Sequence, residues 1–237
     1  MASLAGTAEA RAVATLIAIV GAESSGKTAL ATALAERLAE ATGLACAAVP
    51  ELLRGWCDQA GRTPRPDEQA GIAAAQTAAI DSAAMSHDLV ICDTTALMTA
   101  IYSDYLFDDA SLLPAALDFH RRCALTLLTA LDLPWVADGL QRDGPHVQTP
   151  VDAAIRRALA SAGLSWSVIA GQGEQRVDAA LNAITAMLIA RHLPRAAGLF
   201  TRLAVRQAAQ PDWRWSCDCD VPECEHASLA LQRASNK

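Results

Sequence analysis

The segment Gly21-Ala22-Glu23-Ser24-Ser25-Gly26-Lys27-Thr28 constrains this chain more than any other, because it meets G-x-x-x-x-G-K-[ST] at every fixed position. Its flanks are the ones such a loop requires. Ahead of it, Val13 to Val20 is a short apolar, partly β-branched run that reads as a buried parallel strand. Behind it, Ala29 to Leu38 is rich in strong helix formers. In that setting the N–H groups of the loop and of the helix N-terminus, as far as Ala29, cradle phosphates. Lys27 is expected to reach the β- and γ-oxygens and the Thr28 hydroxyl to hold Mg²⁺. The ligand is then a nucleoside triphosphate, taken here as ATP. A glycine turn that binds nothing is the bland alternative, and the strand–loop–helix order speaks against it.

Composition narrows the class. At 237 residues the chain suits one α/β domain with a modest extra. Just over half of the residues are apolar, but much of that share is alanine, which signals helix more than membrane. No apolar run approaches the ~20 residues of a membrane helix. The stretch before the first strand is too short and misplaced for a secretory signal. A formal charge of −7 argues against a non-specific nucleic-acid binder, which needs a basic face. Cys46, Cys57, Cys92 and Cys123 stand singly, and three further cysteines crowd near the C-terminus. Scattered cysteines beside a nucleotide loop read as reduced thiols in the cytoplasm, not as a disulfide scaffold.

Strand-like runs then alternate with helical stretches. Leu44 to Val49 is a plausible second strand, ending at Pro50-Glu51, and a proline-broken loop follows over Gly61 to Pro66. Asp67, better placed than Asp58, is expected to open a long Ala/Ile/Gln helix to about Ser86. Leu89 to Asp93 and Leu125 to Thr129 read as strands and Trp166 to Ile169 as the last one. A helix from about Glu174 to Arg191 closes the unit. Such alternation means βαβ crossovers and a doubly wound parallel sheet covered by helices on both faces. Ligands sit beyond the carboxyl ends of its strands, where Gly21, Glu51 and Asp93 all fall.

Several motifs now stand in order: Glu23-Ser24-Ser25-Gly26-Lys27-Thr28, Glu51-Leu52-Leu53-Arg54, Gln76, Cys92-Asp93-Thr94 and Trp135-Val136-Ala137-Asp138-Gly139-Leu140. Together, over roughly residues 13–190, they resemble the NadR-type ribosylnicotinamide kinase domain, which is itself similar to the thymidylate-kinase branch of P-loop kinases. The resemblance implies phosphoryl transfer from ATP to the 5′-hydroxyl of nicotinamide riboside, giving nicotinamide mononucleotide. It implies a P-loop kinase-like domain over 13–192, after a flexible N-terminus (1–12). A C-terminal helix and Cys/His-containing tail follow over 193–237. Three positions depart from the family pattern. Thr95 stands where a second acid is common. Gln141 takes the place of the lid arginine, which moves to Arg142. Leu52 replaces the aromatic residue of E-Y-x-R.

The candidate residues each carry a plainer reading beside the functional one. Asp93 either orients Mg²⁺ through water or accepts the acceptor's proton, or it is a solvated strand-end or helix-capping acid. Glu51 and Arg54 bind the acceptor, with Glu51 a rival base, or form an exposed ion pair. Gln76 is an acceptor ligand by family position and a surface glutamine by base rate. Trp135 and Asp138 belong to a segment able to cover the phosphates, where Trp135 stacks on the nicotinamide ring or anchors the loop. Arg142 is the nearest lid cation, or merely exposed. Tyr102, Tyr105 and Phe107 are expected to pack, and His87 to lie at the surface or cap a helix. In the tail, Cys217, Cys219, Cys224 and His226 offer soft ligands for Zn²⁺, although C-x-C-x4-C-x-H is an uncommon spacing; a disordered acidic tail with free thiols is the alternative. The expected activity is an ATP- and Mg²⁺-dependent nucleoside kinase. Its rivals are a kinase of another small acceptor and a nucleotide-operated ATPase or switch that binds a macromolecular partner.

Overall fold

A computed structural model of the chain describes residues 13–136 and 144–190. Five strands, β1 (Thr15–Val20), β2 (Cys46–Val49), β3 (Leu89–Asp93), β4 (Leu125–Thr129) and β5 (Ser167–Ile169), form one sheet in the order β2-β3-β1-β4-β5. Every pairing is parallel. All six residues of β1 are buried, as a strand covered on both faces demands. The helices are α1 (Lys27–Thr42), α2 (Leu52–Ala60), α3 (Pro66–Ala84), α4 (Ala96–Phe107), α5 (Leu113–His120), α6 (Gln148–Ser161) and α7 (Glu174–Ala190). A short 3-10 turn, Pro145–Val147, leads into α6. The fold is the doubly wound P-loop kinase fold that the alternation of strands and helices implied.

Helices α1 and α7 pack on each other and on one face of the sheet. On the other face, Leu16, Val49, Val90 and Cys92 meet Ile80 of α3 and Phe119 of α5, while Val20 and Leu128 meet Leu97, Met98 and Ile101 of α4 and Val151, Ile155 and Leu159 of α6. Full burial of one such aliphatic side chain is worth about 1.5–3 kcal/mol, so these two clusters carry much of the stability. Helix α1 owes its docking to Leu30, Leu34 and Leu38, spaced four apart. It stops at Gly43, whose φ of 71° suits the left-handed C-cap.

Several boundaries differ from the sequence reading. The first strand begins at Thr15, leaving Val13 96% exposed, and α1 begins at Lys27 rather than Ala29. The second strand begins at Cys46 and the last at Ser167. Asp67 does not open α3, and Asp58 lies inside α2. Arg65 is the N-cap, Pro66 takes the first helical position, and the Glu68 carboxylate accepts the Arg65 N–H at 2.8 Å. The expected N-terminal segment 1–12 and tail 193–237 lie outside the described residues. Among the described residues the cysteines are free, and no helix is long and apolar enough to cross a membrane.

Candidate active site

The chain leaves β1 for α1 on one face of the sheet and leaves its neighbour β3 for α4 on the other. The carboxyl ends of β1 and β3 are therefore the topological switch point, where such sheets bind ligands. The register places Asp93 opposite Ile19, two residues before the glycine loop.

The loop is built by close contacts. A side chain on Gly21 would collide with Thr129 Oγ1 at the end of β4, so only glycine fits. Ser25 Oγ donates to Ala22 O at 2.6 Å and lies 2.7 Å from that Thr129 hydroxyl. Ser24 and Gly26 take left-handed φ values of 56° and 79°. Gly26 is the N-cap of α1, which has no side-chain cap and no acid in its first turn. Its first N–H groups thus face the cleft as anion donors. Lys27 Nζ donates to Ala22 O at 3.0 Å, so the ammonium rests on the loop it serves.

A buried arginine that the sequence reading missed locks this loop from behind. Arg176, 4% exposed in α7, donates to Ser25 O and Ala130 O, each at 3.0 Å. It also donates to Gly171 O and to the Asp132 carboxylate, each at 2.7 Å. Burial pushes the Asp132 carboxyl up, but hydrogen bonds from Arg176 and the Gly171 amide, with the Arg176 charge, outweigh it and hold the group below its ordinary value. Nothing local in Glu174-Gln175-Arg176 announces this role.

Asp93 is neither a solvated acid nor a helix cap. It is 1% exposed, and neither carboxylate oxygen has a hydrogen-bond partner among the described residues. Thr95 caps α4 instead, accepting the Leu97 N–H. Between them Thr94 holds a φ of 72°, a strained conformation for a β-branched residue, on the order of 1–3 kcal/mol. Thr95 Oγ1 lies 3.0 Å from His120 Nδ1, and His120 Nε2 lies 2.9 Å from Thr126 Oγ1. Burial pushes the His120 imidazole down to about 4, so it is neutral near pH 7.

One cleft of about 450 Å³ runs from the phosphate loop (Glu23 to Ala29) past Glu51 and Arg54 to the α2–α3 loop and the inner face of α4. Met98, Tyr102, Leu106 and Phe107 give it apolar lining, and Thr63, Pro64 and Gln69 line it as well. Tyr102 thus packs as expected and also lines the cleft, whereas Tyr105 is 41% exposed. Gln76 is buried and spends its carboxamide on backbone: Oε1 accepts from Leu52 N (2.9 Å) and Nε2 donates to Pro50 O (3.2 Å). It clamps the turn that carries Glu51 and does not line the cleft. His87 bonds Ala83 O at 3.0 Å at the end of α3, a capping histidine.

Trp135 anchors its segment to the phosphate loop. Its indole N–H donates to Glu23 Oε1 at 3.4 Å, and Val136 N donates to Ser24 Oγ at 2.8 Å. Gly144 N also donates to Glu23 Oε1, at 3.2 Å. Asp138 and Arg142 lie outside the described residues, as do Cys217, Cys219, Cys224 and His226. Among the described residues no cluster of three or more His, Cys, Asp or Glu is placed to hold a metal ion. The oxygen set of Asp93 and Thr28 nevertheless suits Mg²⁺. That ion takes one or two carboxylates and completes its shell with phosphate and water, and a buried carboxylate without a donor is left to be balanced by a cation.

Comparison with solved structures gives likenesses of fold. A structure of NadR protein with NAD and AMP-PNP aligns at 19% identity and a TM-score of 0.55, covering 73% of this chain and 50% of that one. A structure of NadR protein with NR aligns at 18% and 0.56, covering 74% and 51%. The chain thus spans about half the length of those NadR structures. Thymidylate kinase from Ehrlichia chaffeensis aligns at 19% and 0.52, covering 74% of this chain and 100% of that one. No curated protein sequence matches. The family model AAA_28, described as an AAA domain, matches residues 16–176. That match takes in both the phosphate loop and Arg176, well over half of the sequence, and the chain belongs to this family of AAA domains.

Proposed function

We propose that the protein is an ATP-dependent kinase that phosphorylates the 5′-hydroxyl of a nucleoside, with nicotinamide riboside the acceptor we favour. The observation that carries the reading is the single cleft, a chamber lined both by the phosphate loop and by apolar side chains of α4. A slow ATPase or switch needs no such chamber; a kinase needs one for its acceptor. The choice of nicotinamide riboside rests on the E-S-S-G-K and W-V-x-D-G-L motifs and on the likeness of fold to NadR protein.

The chemistry is positioning and charge stabilisation. The N–H groups from Gly26 to Ala29 hold the phosphate oxygens. Lys27 leaves Ala22 O and turns its ammonium to the β- and γ-phosphates. Thr28 and Asp93 would hold Mg²⁺, which when bound would supply charge neutralisation on those phosphates. Glu51 lines the cleft and Asp93 does not, so we assign the acceptor hydroxyl to Glu51 and the metal side to Asp93. The 5′-oxygen attacks the γ-phosphorus, the bond to the ADP oxygen breaks, and the hydroxyl proton passes to the Glu51 carboxylate. Arg54 binds the acceptor beside Glu51. Trp135 and Gln76 support the site through their contacts with the phosphate loop and the Glu51 turn, and we assign Asp138 to the acceptor and Arg142 to the phosphates from their motif positions alone. A coupled ADP-release assay over a panel of nucleosides tests the reading. Strong stimulation by one nucleoside is expected; release indifferent to every nucleoside refutes it.

A further inference from the structure

Helix α3 carries two glutamines on its inward stripe, Gln69, Ile72, Ala73, Gln76 and Ile80, and treats them differently. Gln76 has both ends of its carboxamide bonded to the backbone of Pro50 and Leu52. Gln69 is as deeply buried, 3% exposed, yet its carboxamide has no hydrogen-bond partner among the described residues, and it lines the cleft. Its amide atoms are not among the fully buried unpaired ones, so the carboxamide opens onto the cleft and is free to pair with a bound ligand in place of solvent. The separation of seven positions puts Gln69 about 10 Å from Gln76 along the helix. Thr63 and Pro64 line the same cleft.

We propose that Gln69 selects the acceptor by its hydrogen-bonding edge: the substrate carries, at the end opposite its reacting hydroxyl, a neutral planar group with a donor beside an acceptor. A primary carboxamide or a cyclic imide has that edge. The Gln69 side chain offers the complementary pair, Oε1 accepting and Nε2 donating. The ring that bears the group lies against Tyr102 and Phe107, whose apolar surface holds it without fixing its identity. A site that hydrogen-bonds its substrate rejects an analogue lacking the donor, because the protein group is then buried unpaired. A carboxylate in place of the amide offers no donor to Oε1 and adds a charge to an apolar wall. This inference deepens the kinase reading and rests on it for the position of the hydroxyl.

The test separates the two. Calorimetric binding and ADP release are measured for nicotinamide riboside, nicotinic acid riboside and thymidine, with wild type, Gln69→Leu and Gln69→Glu. Wild type is expected to bind an amide- or imide-bearing nucleoside at least 30-fold tighter than nicotinic acid riboside. Gln69→Leu brings that preference below threefold, and Gln69→Glu weakens the amide-bearing ligand at least tenfold; thermal melts confirm that both variants fold. Unchanged preference in Gln69→Leu overturns the assignment while leaving the kinase reading intact. Preferential binding of the acid by wild type, or no binding of any of the three, overturns it equally. Selective binding with ADP release that no nucleoside stimulates upholds the recognition by Gln69 and sinks the kinase.

Discussion

Replacing Arg176 by methionine removes the guanidinium that ties the phosphate loop to the ends of β4 and β5. Three carbonyls, of Ser25, Ala130 and Gly171, lose a charged donor, and the Asp132 carboxylate loses its counter-ion. Breaking a buried pair costs about 3–5 kcal/mol. The Arg176 side chain is 5% exposed but that of Asp132 is 35% exposed, so solvent relieves part of the loss. The low end, ~3 kcal/mol, is the reasonable expectation, a fall in Tm of roughly 6–12 °C for a chain of this size. The assay is thermal unfolding by far-ultraviolet circular dichroism at pH 7 and again at acid pH. The folded Asp132 carboxyl sits below its ordinary 3.8, so its share of the stability is present above that value and is lost as pH falls through the folded one. The deficit of the variant must therefore shrink below pH 3.8. ATP affinity falls with it, because Ser25 is no longer held. A Tm within about 2 °C of wild type at pH 7 would show that the clamp contributes little.

Lys27→Ala is expected to fold with a Tm close to wild type, since it loses one partly exposed contact to Ala22 O, and to lose at least ~1000-fold in ADP release. Wild-type turnover in that variant would remove the phosphate-loop assignment. Asp93→Asn should cut kcat far more than it weakens ATP binding, and raise the Mg²⁺ concentration needed for half-activity; activity within about twofold of wild type contradicts a metal role. His120 is neutral in the fold down to about pH 4 but protonates near 6.5 when unfolded, so stability drains as pH falls across that window. By pH 4.5 the loss is about 2–3 kcal/mol, and His120→Gln should be free of it; parallel pH profiles for the two proteins would refute the linkage. Gly21→Ala overpacks against Thr129, costing about 1–3 kcal/mol, and adding Thr129→Ala should restore part of the loss.

What was legible in the sequence is what local pattern encodes. Leu89–Asp93 and Leu125–Thr129 were bounded correctly because continuous apolar runs mark strands buried on both faces. The glycine loop was legible because its geometry needs particular residues at fixed spacing. Helices α2, α5 and α6 were not, as short or half-polar segments gain helicity from packing. The cap of α3 was misplaced because an arginine rarely caps; Glu68 and the proline after Arg65 do the work Asp67 was expected to do. The site was read least well where it depends on contacts distant in sequence. Arg176 reaches Ser25 across 151 positions, and no spacing rule reports that. Gln76 and Gln69 are the same residue type on the same helix stripe, so only the fold reveals which one faces the cleft.

The central claim, that the phosphoryl group goes to a nucleoside and not to water, is tested most directly by its fate. The protein is incubated with Mg²⁺, ATP radiolabelled in the γ-phosphate and nicotinamide riboside, and the products are separated. The account predicts label in a nucleoside 5′-monophosphate, formed in step with ADP and absent when the nucleoside is omitted. Label recovered only as inorganic phosphate, at a rate that no nucleoside changes, would contradict it.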